Sequence, residues 1–371
     1  MVNLVLGLVM LQQQQIFVGH THDVKGTLED GTGLYWVHGD PTDNPQLSPQ
    51  KFGKPPARQE FYYHTDAYAK TNSDPKSDLT DLRFRVFSQT PTRNQTFGKN
   101  VAFELLVLWR LVREHLHIDH KQIYEGGVVD VYLCEGGEPG GDQAFEAIPG
   151  DNPDAQANSI YIYDVAHFDD RMEQAREVAH EYGHAVVPPV GGFDNSNGAE
   201  YWANGNLGEK LFLRWGRDGI ARNTLKEVGF MLTPTVLLDF WVQKHVDPLV
   251  KAAAVRPPDS PLLKGTNRAA FDAYQGIVLW CDSIMPPAMF GRSMTLIGSE
   301  KAQDYVASAV QAAEEATYSP KIPSYLDNES VWIPVGKGTV TGVFTVLDKK
   351  LGWWHVKPHG AITVKQKPEN G

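Results

Sequence analysis

Apolar and polar residues alternate in "DLRFRVFSQ", where Leu82, Phe84 and Val86 fall on one face, the period-two signature of a half-buried strand. The period then changes. Across "NVAFELLVLWRLVREHL" Phe103, Leu106 and Leu111 keep a wide apolar stripe at helical spacing. "GVVDVYLC" and "NSIYIYDV" read as two more strands, separated by the glycine-rich loop "EGGEPGGDQ". A helix is expected next, with Asp169 or Asp170 as its N-cap and Pro188-Pro189 as its stop. Several helices follow up to about Thr317, including "TPTVLLDFWVQKHV" and "RAAFDAYQGIVLWCDSI". From Ile16 to about Ser77 the chain is rich in Gly, Pro, Asp, Thr and aromatics, a pattern of short strands and long loops. After "YSPKIPSY" the pattern returns to β, with four or so short antiparallel strands and Gly-Lys and Asp-Lys turns. The expected organisation is therefore a β-rich segment over 1–77, an α+β domain over 78–317 and a small β appendage over 318–371.

Composition narrows the function classes. A chain of 371 residues is too long for one small core, and its net charge of −11 with no basic stripe argues against nucleic acid as a partner. No run reaches the roughly 18 apolar residues of a membrane span. Two cysteines, Cys134 and Cys281, exclude a disulfide-dense scaffold and a cysteine-built zinc site, and leave room for one bridge. "VNLVLGLVML", from Val2 to Leu11, reads equally as the core of an export signal and as a buried strand. A secreted or cell-envelope location is expected on the first reading, a cytoplasmic one on the second.

The candidate chemistry lies in "EVAHEYGHAVVPP". Residues four apart on a helix are separated by about 40° around its axis and one turn along it. His180 and His184 can therefore aim two imidazoles at a single Zn2+. Glu181, about 100° from His180 around the axis, can reach a water at the metal and act as general base in hydrolysis. A third ligand is needed, and "GAEYWANGNLGEKLFLRW" offers Glu200 and Glu209. If one helix ran from Ala199 to Trp215, Glu200, Asn204, Leu207, Leu211 and Trp215 would share a stripe, and Asn204 could hydrogen-bond a ligand histidine from behind. Against that helix, Asn204-Gly205 is a strong turn signal.

"HEYGH" resembles the active-site helix of the gluzincin zinc metallopeptidases, the thermolysin-like and aminopeptidase-like branch of the HEXXH superfamily. The resemblance covers Asn158 to Trp215. It implies a zincin-like domain, with a mixed sheet, the active-site helix and C-terminal helices, that hydrolyses peptide bonds in a peptide or protein substrate. It also implies that the strand before the helix binds extended substrate along its edge, which places Ser159, Ile160 and Tyr161 at the substrate. Gluzincin spacing favours Glu209 as the third ligand, because "EYWANGNLGE" is similar to the tryptophan-rich run before the ligand glutamate of aminopeptidase-like members. Lys210 departs from the glycine often found after that glutamate. A Tyr or His from a later helix commonly stabilises the oxyanion in this group, and Tyr274 and His245 are the candidates here. The metzincin branch fits less well, since the position of its third histidine is Val190.

Two rival functions remain open on the sequence. The chain could be a zincin-fold binding protein without catalysis, or a wall- or carbohydrate-binding protein using Trp353 and Trp354 of "LGWWHV" as a stacking platform. "GHTHD" (His20, His22, Asp23) lacks a third ligand, and "HLHIDH" (His115, His117, His120) falls at a helix end where histidines favour the helix dipole.

Overall fold

The computed structural model describes residues 35–47, 59–69, 82–93, 97–120, 127–147, 156–168, 170–222, 225 and 235–366. The run Val2–Leu11 and the cluster His20, His22 and Asp23 lie outside the described residues. Among the described residues, no helix is long and apolar enough to cross a membrane. The chain is α+β, with a mixed sheet, and divides into two compact units: Met1–Leu111, Asp119–Val186 and Phe212–Asp239 in one, and Val112–Ile118, Val187–Leu211 and Phe240–Gly371 in the other.

The first unit is built on a six-stranded sheet. Its strands are β1 (Tyr35–Leu47), β2 (Glu60–Ala69), β3 (Leu82–Ser88), β4 (Val129–Leu133), β5 (Gly140–Ala147) and β6 (Gln156–Tyr163). They lie in the order β1-β2-β3-β4-β6-β5. Pairs β3–β4 and β4–β6 are parallel, and β5 returns antiparallel to β6 at the edge. Helix α1 (Lys99–His115) follows β3, as a parallel β3–β4 pair requires a crossover.

Alternation along these strands separates two faces. On one, Phe87, Tyr132 and Tyr161 occupy paired positions across β3, β4 and β6, and their rings stack with centroids 5.0 and 5.2 Å apart. Tyr163 extends the stack, and Phe61 of β2 packs against Tyr132 with ring centroids 5.1 Å apart. On the other face Phe84, Val86, Val131, Ile160 and Ile162 are fully or almost fully buried. There Phe84 packs on Tyr182 of helix α2 (Arg171–Val186), with ring centroids 5.5 Å apart.

The glycine-rich segment expected to be a loop supplies β5, which is the one strand of this sheet after β3 that the apolar pattern does not show. Its sequence, "GGDQAFEA", has no regular apolar alternation, and among the described strands β6 provides the ladder that orders it. The consequence for β6 is a correction. Ser159, Ile160 and Tyr161, expected along an exposed edge, lie in an interior strand whose backbone pairs with β4 on one side and β5 on the other. The edge belongs to β5.

In the second unit helices α5 (Asp247–Ala254), α6 (Arg268–Ile284), α7 (Pro287–Thr295) and α8 (Asp304–Glu315) gather around a three-stranded sheet. Helix α3 (Asn204–Ala221) and helix α4 (Thr235–His245) each have residues in both units. The small sheet has the order β7-β9-β8, formed by β7 (Val331–Pro334), β8 (Thr339–Lys350) and β9 (Trp353–Lys365). Instead of four or so short strands, two long ones form a hairpin that turns at Leu351-Gly352, and Asp348-Lys349 lies inside β8. Both turn residues have positive φ, 49° and 80°. Trp353 is 1% exposed and donates from Nε1 to the Val306 carbonyl at 3.1 Å, so its ring is core and offers no platform to a sugar. Trp280 of α6 likewise donates to the Trp332 carbonyl at 2.7 Å. Cys134 and Cys281 are both free and buried, and burial pushes each thiol up to about 12.

Candidate metal centre

The two histidines ride on α2, and local sequence accounts for that helix. Asp170 accepts from the Met172 amide at 2.6 Å and its carbonyl receives the Gln174 amide at 3.0 Å, which caps the first turn. Met172, Ala175, Val178, Ala179, Tyr182, Ala185 and Val186 form the buried face. The last helical residue is Val186, two before Pro188. His180 and His184 sit one turn apart on a partly exposed face, with ring centroids 5.0 Å apart and ring planes at 71°.

Glu181 is 3% exposed, and its Oε1 lies 3.9 Å from His180 Nε2. The place for its carboxylate is made by Gly141 of β5. A Cβ at that position would stand 2.6 Å from Glu181 Cγ and 2.7 Å from Cδ and Oε1. Gly141 pairs with Ile162, so it falls on the face of the sheet that carries Ile162, the helix side. Glycine here gives the edge strand a bare backbone against the carboxylate. Tyr163, on the strand leading into α2, is a neighbour that sequence reasoning did not single out. Its phenol is held well above the usual range, first by burial and then by the negative charge of Asp142, with further contributions that include Glu181.

Tyr182, between the two histidines in sequence, is anchored from beneath by His120. The His120 Nδ1 and Tyr182 hydroxyl are 2.9 Å apart, and Phe84 meets the His120 ring edge-on at 4.9 Å. Burial brings the His120 imidazole down to about 4, outweighing the opposing pull of Asp119. One member of "HLHIDH" thus supports the histidine-bearing helix from the core, a role that helix-end reasoning did not reveal. His117 is exposed in a left-handed conformation.

The acidic residues come from the irregular segment after α2 and from α3. Within the segment, Phe193 N donates to the Tyr201 carbonyl at 3.3 Å and Ala203 N to the Val190 carbonyl at 2.8 Å. The Trp202 ring lies so close to Gly191 that a Cβ there would be 2.5 Å from it. Arg268 of α6 donates to the Gly198 carbonyl at 2.6 Å while pairing with Asp272 at 2.9 Å. These bonds fold the segment back on itself and set Glu200 just ahead of α3. Asn206 Nδ2 then donates to Glu200 Oε1 at 3.0 Å. Asn204 is not shown bonding a histidine; its Nδ2 donates to the Val187 carbonyl at 3.3 Å. The Asn204-Gly205 pair, read as a helix breaker, opens α3 instead.

His180, His184 and Glu200 each offer one ligand atom, and these atoms all lie within 4.8 Å of one another. Glu209, the carboxylate that gluzincin spacing favours, is not in this group. It sits within α3, 4% exposed. The stripe argument named Glu200 for a reason that does not hold, because α3 starts at Asn204 and Glu200 precedes it in non-helical chain.

The two expected oxyanion donors are placed differently. Tyr274 of α6 is fully buried, with Phe193 and Tyr305 rings at 6.1 and 6.4 Å, and burial raises its phenol well above the usual range. Among the described residues its hydroxyl has no hydrogen-bond partner. His245 is exposed in the last turn of α4 with its ring 5.1 Å from that of Trp241. Comparison of the chain with protein-family models, with curated proteins and with solved structures finds no match.

Proposed function

We propose that this chain is a zinc-dependent peptidase with a zincin-like catalytic architecture, in which His180, His184 and Glu200 hold one zinc ion and Glu181 is the general base. The observation that carries the reading is the convergence of three ligand atoms within 4.8 Å, with the buried Glu181 carboxylate 3.9 Å from His180 Nε2. Two imidazoles and a carboxylate are a donor set suited to zinc, and three protein ligands leave a position for water and substrate, as catalytic sites require. Zinc in such a site supplies Lewis acidity and brings the pKa of a water near neutrality.

The protein's own groups do the rest. Glu181, held against the bare backbone at Gly141, accepts the proton of the attacking water and returns it to the leaving amine. The outer edge of β5 closes the six-stranded order, so an extended peptide can add to it through backbone hydrogen bonds and bring its carbonyl to the base. That mode recognises peptide backbone whatever the side chains, which supports peptide bonds as the substrate class. Tyr163, whose phenol senses the charge of the base, is a phenol suited to steady the oxyanion.

The test is peptide hydrolysis by the wild type and by Glu181→Gln with zinc content measured in both. Turnover in the wild type, lost by about a hundredfold or more in Glu181→Gln at unchanged zinc content, is the expected result. A wild type that binds zinc but cleaves no peptide library would instead make the chain a zincin-fold binding protein.

A further inference from the structure

We propose that Lys210 and Asn206 are positioning residues for Glu200, a chain of two hydrogen bonds that sets the carboxylate's orientation before a metal arrives. The inference rests on the reading of Glu200 as a zinc ligand. Glu200 needs such a device because it lies outside any helix or strand, in a segment whose backbone is tied down by Arg268 and by Trp202 against Gly191. Those contacts place its Cα. They do not set the plane of its carboxylate.

Asn206 does. Its Nδ2 donates to Glu200 Oε1 at 3.0 Å. An amide of this kind could turn over and present its oxygen, which would repel the carboxylate. Lys210 prevents that turn. One helical turn further along α3, its Nζ lies 2.6 Å from Asn206 Oδ1 and 3.3 Å from the Asn206 carbonyl. An ammonium only donates, so the atom facing it is the amide oxygen, and the amide nitrogen is directed at Glu200.

The burial of Lys210 shows that this arrangement is costly to build. The residue is 7% exposed, among the buried Leu207, Leu211 and Phe212 of the same helix, at a position where an apolar side chain would serve the core. Burial, aided by the positive charge of Arg268, works against the ammonium and holds it below the usual lysine range, and the negative charges of Glu209, Asp272 and Glu200 offset this only in part. A prearranged carboxylate loses less freedom when it binds a cation, and outer groups of this kind typically change metal affinity by about 10–100-fold.

The experiment measures zinc affinity of the full chain by competition with a chromophoric chelator, alongside the melting temperature of the zinc-free protein. Asn206→Leu and Lys210→Met should each weaken zinc binding by about 10–100-fold while the zinc-free melting temperature stays near that of the wild type. Lys210→Gln should restore most of the affinity, since glutamine at i+4 can still donate to Asn206. The Asn206→Leu/Lys210→Met double variant should bind no more weakly than Asn206→Leu alone. Wild-type affinity in both single variants, losses that multiply in the double variant, or no recovery in Lys210→Gln would each overturn the proposal while leaving the zinc site standing. A wild type that binds no zinc overturns the metal reading itself, and this inference with it.

Discussion

Replacing Gly141 by alanine should disable the proposed base, Glu181, without touching the proposed metal ligands. The added Cβ would stand 2.6 Å from Glu181 Cγ and 2.7 Å from Cδ and Oε1. Carbon atoms rest at about 3.5–4.0 Å from one another, so the side chain must retreat by about 1 Å. The displaced atoms belong to the end of a side chain and not to backbone, and alanine suits a strand better than glycine, so the fold should survive. A misplacement of about 1 Å at a reacting group costs on the order of a hundredfold in rate. Expected for Gly141→Ala is therefore a kcat near one hundredth of the wild-type value, with zinc content and melting temperature close to wild type. Gly136→Ala is the control. It changes the same glycine-rich run, and nothing lies within 4 Å of the new Cβ. Peptide hydrolysis at saturating substrate, with zinc measured on the same samples, reads the difference. Wild-type turnover in Gly141→Ala would refute the placement of Glu181 as base against the edge strand.

His120 gives a pH dependence of stability. Its imidazole titrates at about 4 in the folded chain against 6.5 in an exposed one, so between those values the unfolded state binds the extra proton. The stability His120 contributes is complete above about pH 6.5 and is lost as pH falls toward 4, by on the order of 3 kcal/mol. Urea unfolding of the wild type and His120→Asn across that window should show this extra loss in the wild type alone; parallel curves would count against it. At the β8–β9 hairpin, Leu351 adopts φ 49° beside Gly352, where asparagine is at ease in the left-handed region. Leu351→Asn should raise stability by about 0.5–1 kcal/mol, seen as a higher urea midpoint. An unchanged or lower midpoint would contradict that account.

What the sequence disclosed and what it concealed follow from how local each signal is. Helix α2 was legible because its cap, apolar spacing and proline stop all lie within its own span, and the same holds for α6, read from Arg268 to Ile284. Strand β5 was concealed, since "GGDQAFEA" has no periodicity of its own and is ordered by β6. That omission also misplaced the edge, because without β5 the strand β6 looks exposed. The choice between Glu200 and Glu209 was beyond periodicity. Glu200 reaches the histidines from irregular chain whose path depends on distant partners, Gly191 with Trp202 and Gly198 with Arg268. His120 was hidden for a related reason, as its partner Tyr182 lies 62 residues away.

The central claim is a metal centre made by His180, His184 and Glu200, and elemental analysis tests it most directly. Wild-type protein loaded with zinc and freed of excess should retain about one zinc per chain. His180→Ala and Glu200→Ala should retain almost none under the same conditions, and Glu209→Ala should retain it. A wild type without zinc, or zinc kept in Glu200→Ala and lost in Glu209→Ala, would contradict the account.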